Sequence, residues 1–299
     1  AYSDLSVGVA PSGQPNTMWA VAGGSSFAVR RSDDRGATWT TVTPPSTLLT
    51  GSQNPLTVAA STITPGTVYV LSTTQRRILK STDFGATWTD TTNNFPTGGS
   101  TNYNWSQGWY DYHITASSTT PTGGSPQDVL WVGLIDISVS VNGGASWRNA
   151  GGTNWASGYH GFAIDPQNPD RVLAGSDGGV FLGVYAPSND TLAWSRLNKN
   201  LGVTQFYTLA VHPTNADYVK GGTQDNSTPH SFGNLALWQN PGAGDGAGCA
   251  INPFNVNFQY NSSQYHGLSK TTNAYGSQSG FKPSFGSDSV PFIGKLWLD

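Results

Sequence analysis

A self-similarity with a period near 48 residues constrains this chain more than any single motif. A repeat of that length means the fold is built by adding one small supersecondary unit to the next. Short β-prone runs, each followed by a turn, recur as LSVGVAPSGQP, LTVAASTITPG, HITASSTTPTG, GFAIDPQNPD, TLAVHPTNAD and GCAINPFNVN. Their equivalent positions are Ala10, Ala60, Ser117, Asp165, His212 and Asn252, separated by 50, 57, 48, 47 and 40 residues. A second strand follows each run: MWAVAGG, VYVLST, VLWVGL, RVLAGS, YVKGGT and NFQYNSS. Turn chemistry then leads into a third strand and, in most units, a fourth that carries an aromatic, at Trp39, Trp88, Trp147, Trp194 and Trp238.

Four short antiparallel strands per unit, repeated radially, describe the blades of a β-propeller. The expected fold is all-β, a single propeller domain over 1–299 with blades at about 5–50, 51–106, 107–155, 156–202, 203–243 and 244–290. IGKLWLD at 293–299 reads as a further first strand, with Asp299 standing 47 residues after Asn252. That strand either closes a six-bladed ring or opens another blade of a longer chain. The second reading is preferred, because the chain stops where a turn would follow. Little helix is expected, since no long stretch places apolar residues three and four apart.

In three units the third and fourth strands are joined by one motif: RSDDRGATW (31–39), STDFGATW (81–88) and SVNGGASW (140–147). An Asp or Asn side chain in such a turn accepts hydrogen bonds from nearby backbone N–H groups, and glycine takes the positive φ that closes the turn. The tryptophan buries a large apolar area between sheets. Ser32, Asp33, Gly36 and Trp39, Ser81, Asp83, Gly85 and Trp88, and Asn142, Gly144 and Trp147 are therefore expected to be structural. One carboxylate per turn falls short of the six to eight oxygens that calcium prefers. No metal or other cofactor is expected.

These stretches resemble the Asp-box pattern S-x-D-x-G-x-T-W of the bacterial neuraminidase repeat, with TTNAYG at 271–276 as a degenerate copy. The resemblance implies an Asp-box β-propeller, a group that includes sialidases, sortilin-type receptors and two-propeller xyloglucanases. GWYDYHITAS (108–117), GSDGGVF (175–181), LNKNLGVTQFYTLAVHP (197–213), GGTQDNST (221–228) and GDGAGCAINP (244–253) are similar to secreted bacterial repeat proteins of glycosyl-hydrolase-like type.

Composition removes several function classes. Only 10% of residues are charged, the net charge is -3, and the 14 Lys and Arg are scattered, so no basic face addresses nucleic acid. No apolar run approaches the roughly 20 residues that span a bilayer. The single Cys249 excludes an internal disulfide framework, and its setting, GCAI, implies a buried small side chain. A Thr-, Asn- and Gly-rich surface poor in Lys and Glu leads us to expect a secreted protein, while a start at Ala1 fits a removed signal peptide and a trimmed chain equally. Sequons stand at Asn104, Asn189, Asn226 and Asn261.

In a propeller, loops between third and fourth strands share a face with those between first and second, whereas second-to-third turns and inter-blade loops share the other. Ligands are expected on that other face. Four aspartates map to it as catalytic candidates: Asp136, Asp177, Asp225 and Asp245. The inter-blade loop TNYNWSQGWYDYH (101–113) supplies Tyr103, Trp105, Trp109, Tyr110 and Tyr112, and GGTNWASGYHG (151–161) supplies Trp155, Tyr159 and His160. Aromatic faces suit the apolar faces of sugar rings, with packing between blades as the rival use. Trp105, Trp109, Tyr110, Trp155, Tyr159 and His160 are the ligand-binding candidates.

Sialidases sharing the Asp-box pattern use an arginine triad and a Tyr nucleophile assisted by Glu. This chain has no Glu, no Arg-Ile-Pro segment near its start and eight Arg, so that activity is not expected. The expected function is carbohydrate recognition, with a glycan or polysaccharide partner. The alternatives are glycoside hydrolysis by paired Asp residues and a non-catalytic protein-binding scaffold.

Overall fold

The turn that repeats in sequence is built from side chains bonding their own backbone. The computed structural model describes residues 4–96, 103–121, 123–151, 158–202, 204–240, 242, 244–274, 277–281 and 283–298. In STDFGATW, Ser81 Oγ donates to Asp83 Oδ1 (2.8 Å) and accepts from the Gly85 N–H (2.9 Å), while Asp83 accepts from the N–H and the hydroxyl of Thr87 (2.8 and 2.5 Å). Gly85 takes a φ of 83°, a value that a residue with a Cβ adopts only at a cost. The carboxylate that does this in the first copy is Asp34, not Asp33 as expected: Ser32 donates to it at 2.7 Å and the Thr38 N–H at 2.8 Å. Asp33 instead pairs with Arg31 at 2.9 Å. Asn142 serves in the third copy, accepting from the Ser146 N–H and donating to its hydroxyl (2.9 and 2.8 Å). Asn273 repeats the pattern with Thr271 and Ser277 (2.7 and 2.9 Å).

The chain divides into two compact units, Ala1–Leu201 and Gly202–Asp299, where a single domain is expected from the repeat. The first consists of four successive four-stranded antiparallel meanders. They are β1 (Asp4–Gly8), β2 (Thr17–Ala22), β3 (Ala28–Ser32) and β4 (Thr40–Thr41); β5 (Leu56–Ala60), β6 (Val68–Ser72), β7 (Arg77–Ser81) and β8 (Thr89–Asp90); β9 (His113–Thr119), β10 (Gln127–Gly133), β11 (Ile137–Ser140) and β12 (Arg148–Asn149); and β13 (Tyr159–Ile164), β14 (Arg171–Ser176), β15 (Gly179–Ala186) and β16 (Thr191–Arg196). The first strands pack side by side, β1 on β5, β5 on β9 and β9 on β13, which is the arrangement of propeller blades. Polar side chains fix this seam. Asp4 accepts from the Val58 N–H (2.9 Å) and Ser6 Oγ from the Ala60 N–H (2.9 Å).

A blade flanked on both sides must be apolar on both faces, so its strands read as runs rather than alternations. β5 (LTVAA) and β6 (VYVLS) are buried at every position. Three cores fill the spaces between the four blades: one around Trp19, Val29, Leu56 and Val70, one around Tyr69, Ile78, Leu130 and Trp147, and one around Trp131, Val139, Val172 and Tyr159. Each fully buried Val, Leu or Ile contributes about 1.5–3 kcal/mol.

Tryptophan ties one blade to the next. The Nε1–H of Trp88 donates to Val42 O (3.0 Å), that of Trp147 to Thr91 O (2.7 Å) and that of Trp194 to Ala150 O (2.7 Å). The acceptors are equivalent, each being the residue after a fourth strand. Trp194 makes this bond in a blade that has lost the turn motif. Trp39 donates to Gly36 O within its own turn (3.1 Å).

The second unit departs from the repeat. β17 (Phe206–His212) and β18 (Asn215–Thr223) form a two-stranded sheet, and the expected third and fourth strands shrink to bridges from His230 to Lys220 and Gln239. β19 (Asn226–Ser227) lies parallel to β20 (Gly244–Ile251), which pairs onward with β21 (Gln259–Ser263), β22 (Gly267–Thr271) and β23 (Ser279–Phe281). The strand expected at 293–299 does not form over 293–298, although the Leu296 backbone runs close against Gly248. Lys220 is fully buried, donates to Gln259 Oε1 (3.2 Å), and is pushed down by burial to a pKa of about 8. Cys249 is buried and donates to Lys220 O (3.5 Å).

Two outcomes follow from the turns and the indoles. Trp147→Phe keeps the ring burial but leaves the Thr91 carbonyl without its donor, so urea unfolding should show a loss of about 1–3 kcal/mol at an unchanged m-value. Hydrogen bonds from Thr38 and Thr87 hold the Asp34 and Asp83 carboxyls at about 2, below the ordinary 3.8. Their contribution is complete above pH 3.8 and is lost as pH falls through 2. The double variant Asp34→Asn, Asp83→Asn should therefore show a flatter fall in melting temperature between pH 4 and pH 2.

Candidate functional site

In the Ala1–Leu201 unit, the second-to-third turns and the loops that enter each blade emerge at one end. In register, Gly133 of β10 faces both His113 and Ile137, and Ser176 of β14 faces both Tyr159 and Gly179. The motif turns lie at the opposite end of the strands. Neighbouring blades share this end: the Tyr159 N–H donates to Leu134 O (2.8 Å), and Thr73 Oγ1, in the turn after β6, donates to Gly108 O (2.6 Å).

The loop before β9 is pinned at three points. Asn104 is 1% exposed; its amide donates to Pro96 O (3.2 Å) and Ser138 Oγ (3.4 Å) and accepts from the Asp136 N–H (2.8 Å). Trp105, 5% exposed, packs its ring 4.9 Å from that of Phe95. Gly108 sits so close to Thr73 that a Cβ there would come within 2.7 Å of the threonine Cβ. The tight turn that follows, with the Tyr110 and Asp111 N–H groups donating to Gln107 O (both 2.8 Å), lifts Trp109 and Tyr110 out of the protein. They are 72% and 48% exposed, with ring centroids 5.6 Å apart.

This aromatic shelf ends on an imidazole held between two carboxylates. The Tyr110 ring meets His160 edge-on at 4.8 Å. His160 Nε2 lies 2.8 Å from Asp177 Oδ1, and His160 Nδ1 lies 3.6 Å from Asp111 Oδ1. An ionised carboxylate only accepts, so the shorter contact places a proton on Nε2. Asp177 and His160 are each about one third exposed, whereas Asp111 is 1% exposed. Gly158 makes room for this group: it has a φ of 71°, and a Cβ there would lie 2.4 Å from Asp177 Oδ2. Chemically, the shelf offers apolar ring faces, and its end offers the part-exposed Asp177 carboxylate to hydroxyl groups.

Of the expected ligand-binding residues, the structure brings Trp109, Tyr110 and His160 together, with Asp177 from the catalytic candidates. Trp105 and Tyr159 are core residues instead: Trp105 is clamped by Phe95, and Tyr159 is 2% exposed against Gly133, its hydroxyl pushed up to about 12 by burial and by Asp136. Asp136 is half-buried, in a turn fixed by Asn104. Trp155 lies outside the described residues. Asp111 completes the group although it is not among the candidates, and it is the one acid in the loop TNYNWSQGWYDYH. Its position between Tyr110 and Tyr112, the one acid in an aromatic loop, is the signal that distinguishes it.

In the Gly202–Asp299 unit, Asp245 acts as a fastener. Its Oδ1 accepts from the Asp225 N–H (3.1 Å) and Tyr207 OH (3.4 Å), and its Oδ2 from Gln264 Nε2 (2.8 Å). Asp225 is an exposed turn residue with a φ of 58°. Asn261 is buried and its amide donates to Gln278 (3.5 Å), whereas Asn189 and Asn226 are exposed. Among the described residues no group of three His, Cys or Asp is placed to hold a metal ion. No helix among them is long and apolar enough to cross a membrane.

No family model matches the chain and no curated protein matches it. Among solved structures, the chain is similar to YCF48 bound to D1 peptide, at 13% identity over 93% of this chain and 81% of that one, with a TM-score of 0.41. It is also similar to YCF48 from Cyanidioschyzon merolae, at 15% identity over 87% and 76%, with a TM-score of 0.40. Similarity to the GH74 xyloglucanase from Xanthomonas campestris is at 14% identity, with a TM-score of 0.40, over 97% of this chain and 46% of the enzyme's length. At these identities no residue role passes to this chain.

The two tryptophans of one loop should separate cleanly. Trp105→Ala opens a core cavity and is expected to cost about 3–5 kcal/mol, whereas Trp109→Ala should leave the thermal midpoint within about 2 °C of the parent. Differential scanning calorimetry on both variants checks this.

Proposed function

We propose that this chain binds carbohydrate, outside the cell, on the end of the Ala1–Leu201 unit that carries Trp109, Tyr110, Asp111, His160 and Asp177. The observation that carries the reading is the exposure of two adjacent aromatic rings running directly into a His–Asp cluster. A single exposed aromatic is ordinary, but adjoining exposed rings make an apolar patch of the kind that marks a binding surface. A pyranose presents an apolar face to such a ring and a rim of hydroxyls to carboxylates and N–H groups. The loop is held rigid by Asn104, Trp105 and Thr73, so little ordering opposes binding. The low density of charge leaves recognition to ring faces and hydrogen bonds, which suits a hydroxyl-rich partner, and a secreted protein meets such partners on cell surfaces and in plant or microbial walls.

Glycoside hydrolysis is the second reading, favoured by one observation: Asp111 and Asp177 flank the same imidazole. An acid and a base or nucleophile, roughly 5–9.5 Å apart, suffice for that chemistry.

A glycan array read beside a reducing-sugar release assay tests both. Wild-type protein is expected to retain one class of polysaccharide, and Trp109→Ala to weaken that binding at least about tenfold, or 1.4 kcal/mol, without loss of folded protein. Sugar release that disappears in Asp177→Asn moves the reading from binding to hydrolysis. Retention that survives both Trp109→Ala and Tyr110→Ala removes the shelf as the site.

A further inference from the structure

A recess of about 460 Å³ opens at the same end of the Ala1–Leu201 unit, lined by Arg76, Asp90, Asn93, Asn94, Phe95 and Trp105. That volume lies within the range of small-ligand sites. The recess adjoins the shelf through two short stretches of chain. The turn after β6 holds Gly108 through Thr73 and contributes Arg76 three residues later. The loop before β9 lines the recess with Trp105 and raises Trp109 four residues later. Four residues of extended chain span at most about 14 Å, which bounds the separation of Trp109 from Trp105.

The charge inside the recess is uneven. Arg31, Arg77, Arg148 and Arg171 each pair with an Asp, whereas the Arg76 guanidinium makes no ion pair among the described residues. Asp90, the carboxylate in the lining, is already engaged by Arg77 and by the Thr92 N–H (2.9 Å). Arg76 is thus the uncompensated charge. It also occupies a left-handed backbone position, φ 55°, as does Asn94 opposite, φ 59°. Glycine takes such positions without strain, so the backbone of this turn does not itself call for a long cationic side chain.

We infer that the recess receives the carboxylate of an acidic sugar, so that the carbohydrate is a polysaccharide carrying uronic acid residues among neutral ones. This rests on the shelf's being a carbohydrate site. The planar guanidinium of Arg76 matches a carboxylate through two parallel hydrogen bonds. The Asn93 and Asn94 amides address the flanking hydroxyls, above a floor formed by the core residues Phe95 and Trp105. Asp111 and Asp177 stand at the far end of the shelf, where a second anionic residue would be repelled. The acid therefore belongs at the Arg76 end and a neutral ring over Trp109.

Glucuronoxylan and xanthan, each titrated beside its carboxyl-reduced form by isothermal calorimetry in 50 mM salt, test this. Wild-type protein is expected to bind at least one acidic form about tenfold more tightly than its reduced counterpart, and to lose that preference as salt is raised. Arg76→Gln should bind both forms at the reduced-form affinity. Arg76→Gly, which relaxes the left-handed position and is expected to fold at least as stably, should do the same. Trp109→Ala should weaken both forms alike. Equal affinity of wild type for the acidic and reduced forms, or a preference that survives Arg76→Gln, overturns the inference and leaves the shelf standing. No binding of any form by the wild type overturns both.

Discussion

A sheet of four short strands has two faces and too little width to bury either by itself, so every blade depends on a neighbour. Contact between blades, rather than pairing within them, holds the Ala1–Leu201 unit together, and it is made the same way three times. At each seam apolar runs from facing sheets fill the gap and an indole N–H closes the outer edge on a carbonyl of the preceding blade, and between β1 and β5 polar side chains also lock the inner edge. The motif turn is secondary to that contact. Trp194 bonds to Ala150 from a blade without the motif, which shows that the aromatic joins the blades and the Ser/Asp/Gly network only shapes the hairpin behind it.

This division of labour explains where sequence is informative. Periodicity reports inter-blade packing directly, because each blade repeats the same apolar runs at the same spacing, and the four-stranded meanders follow from it. It fails where one blade borrows from another. In the Gly202–Asp299 unit the third strand of the fifth repeat is reduced to His230, and the backbone of Asn226–Ser227 pairs with β20 of the next repeat. A period describes what each unit contributes, and carries no record of such exchanges.

The candidate site was legible at the level of loops and not of side chains. Its end of the strands follows from topology, and the aromatic loop from composition. Which aromatics face outward depends on a single tight turn at Gln107–Gly108, which buries Trp105 and exposes Trp109 though they share a type and a loop. The choice between Asp33 and Asp34 is of the same kind: adjacent, identical residues are separated only by which one lies two positions after Ser32. Asp111 belongs to the site because His160, nearly fifty residues later, folds back beside it.

Asn104 stands in a glycosylation sequon, and it is also the peg that joins the aromatic loop to the Asp136 turn. The two roles exclude each other. An oligosaccharyltransferase acts on the emerging chain, before the amide is enclosed, and a glycan placed there would keep the loop from seating. Expression along a glycosylating route would thus yield a form whose blades are intact and whose shelf is unset, whereas Ser106→Ala removes the sequon and leaves the Asn104 side chain as it is. The host chosen for expression determines which of these molecules is studied.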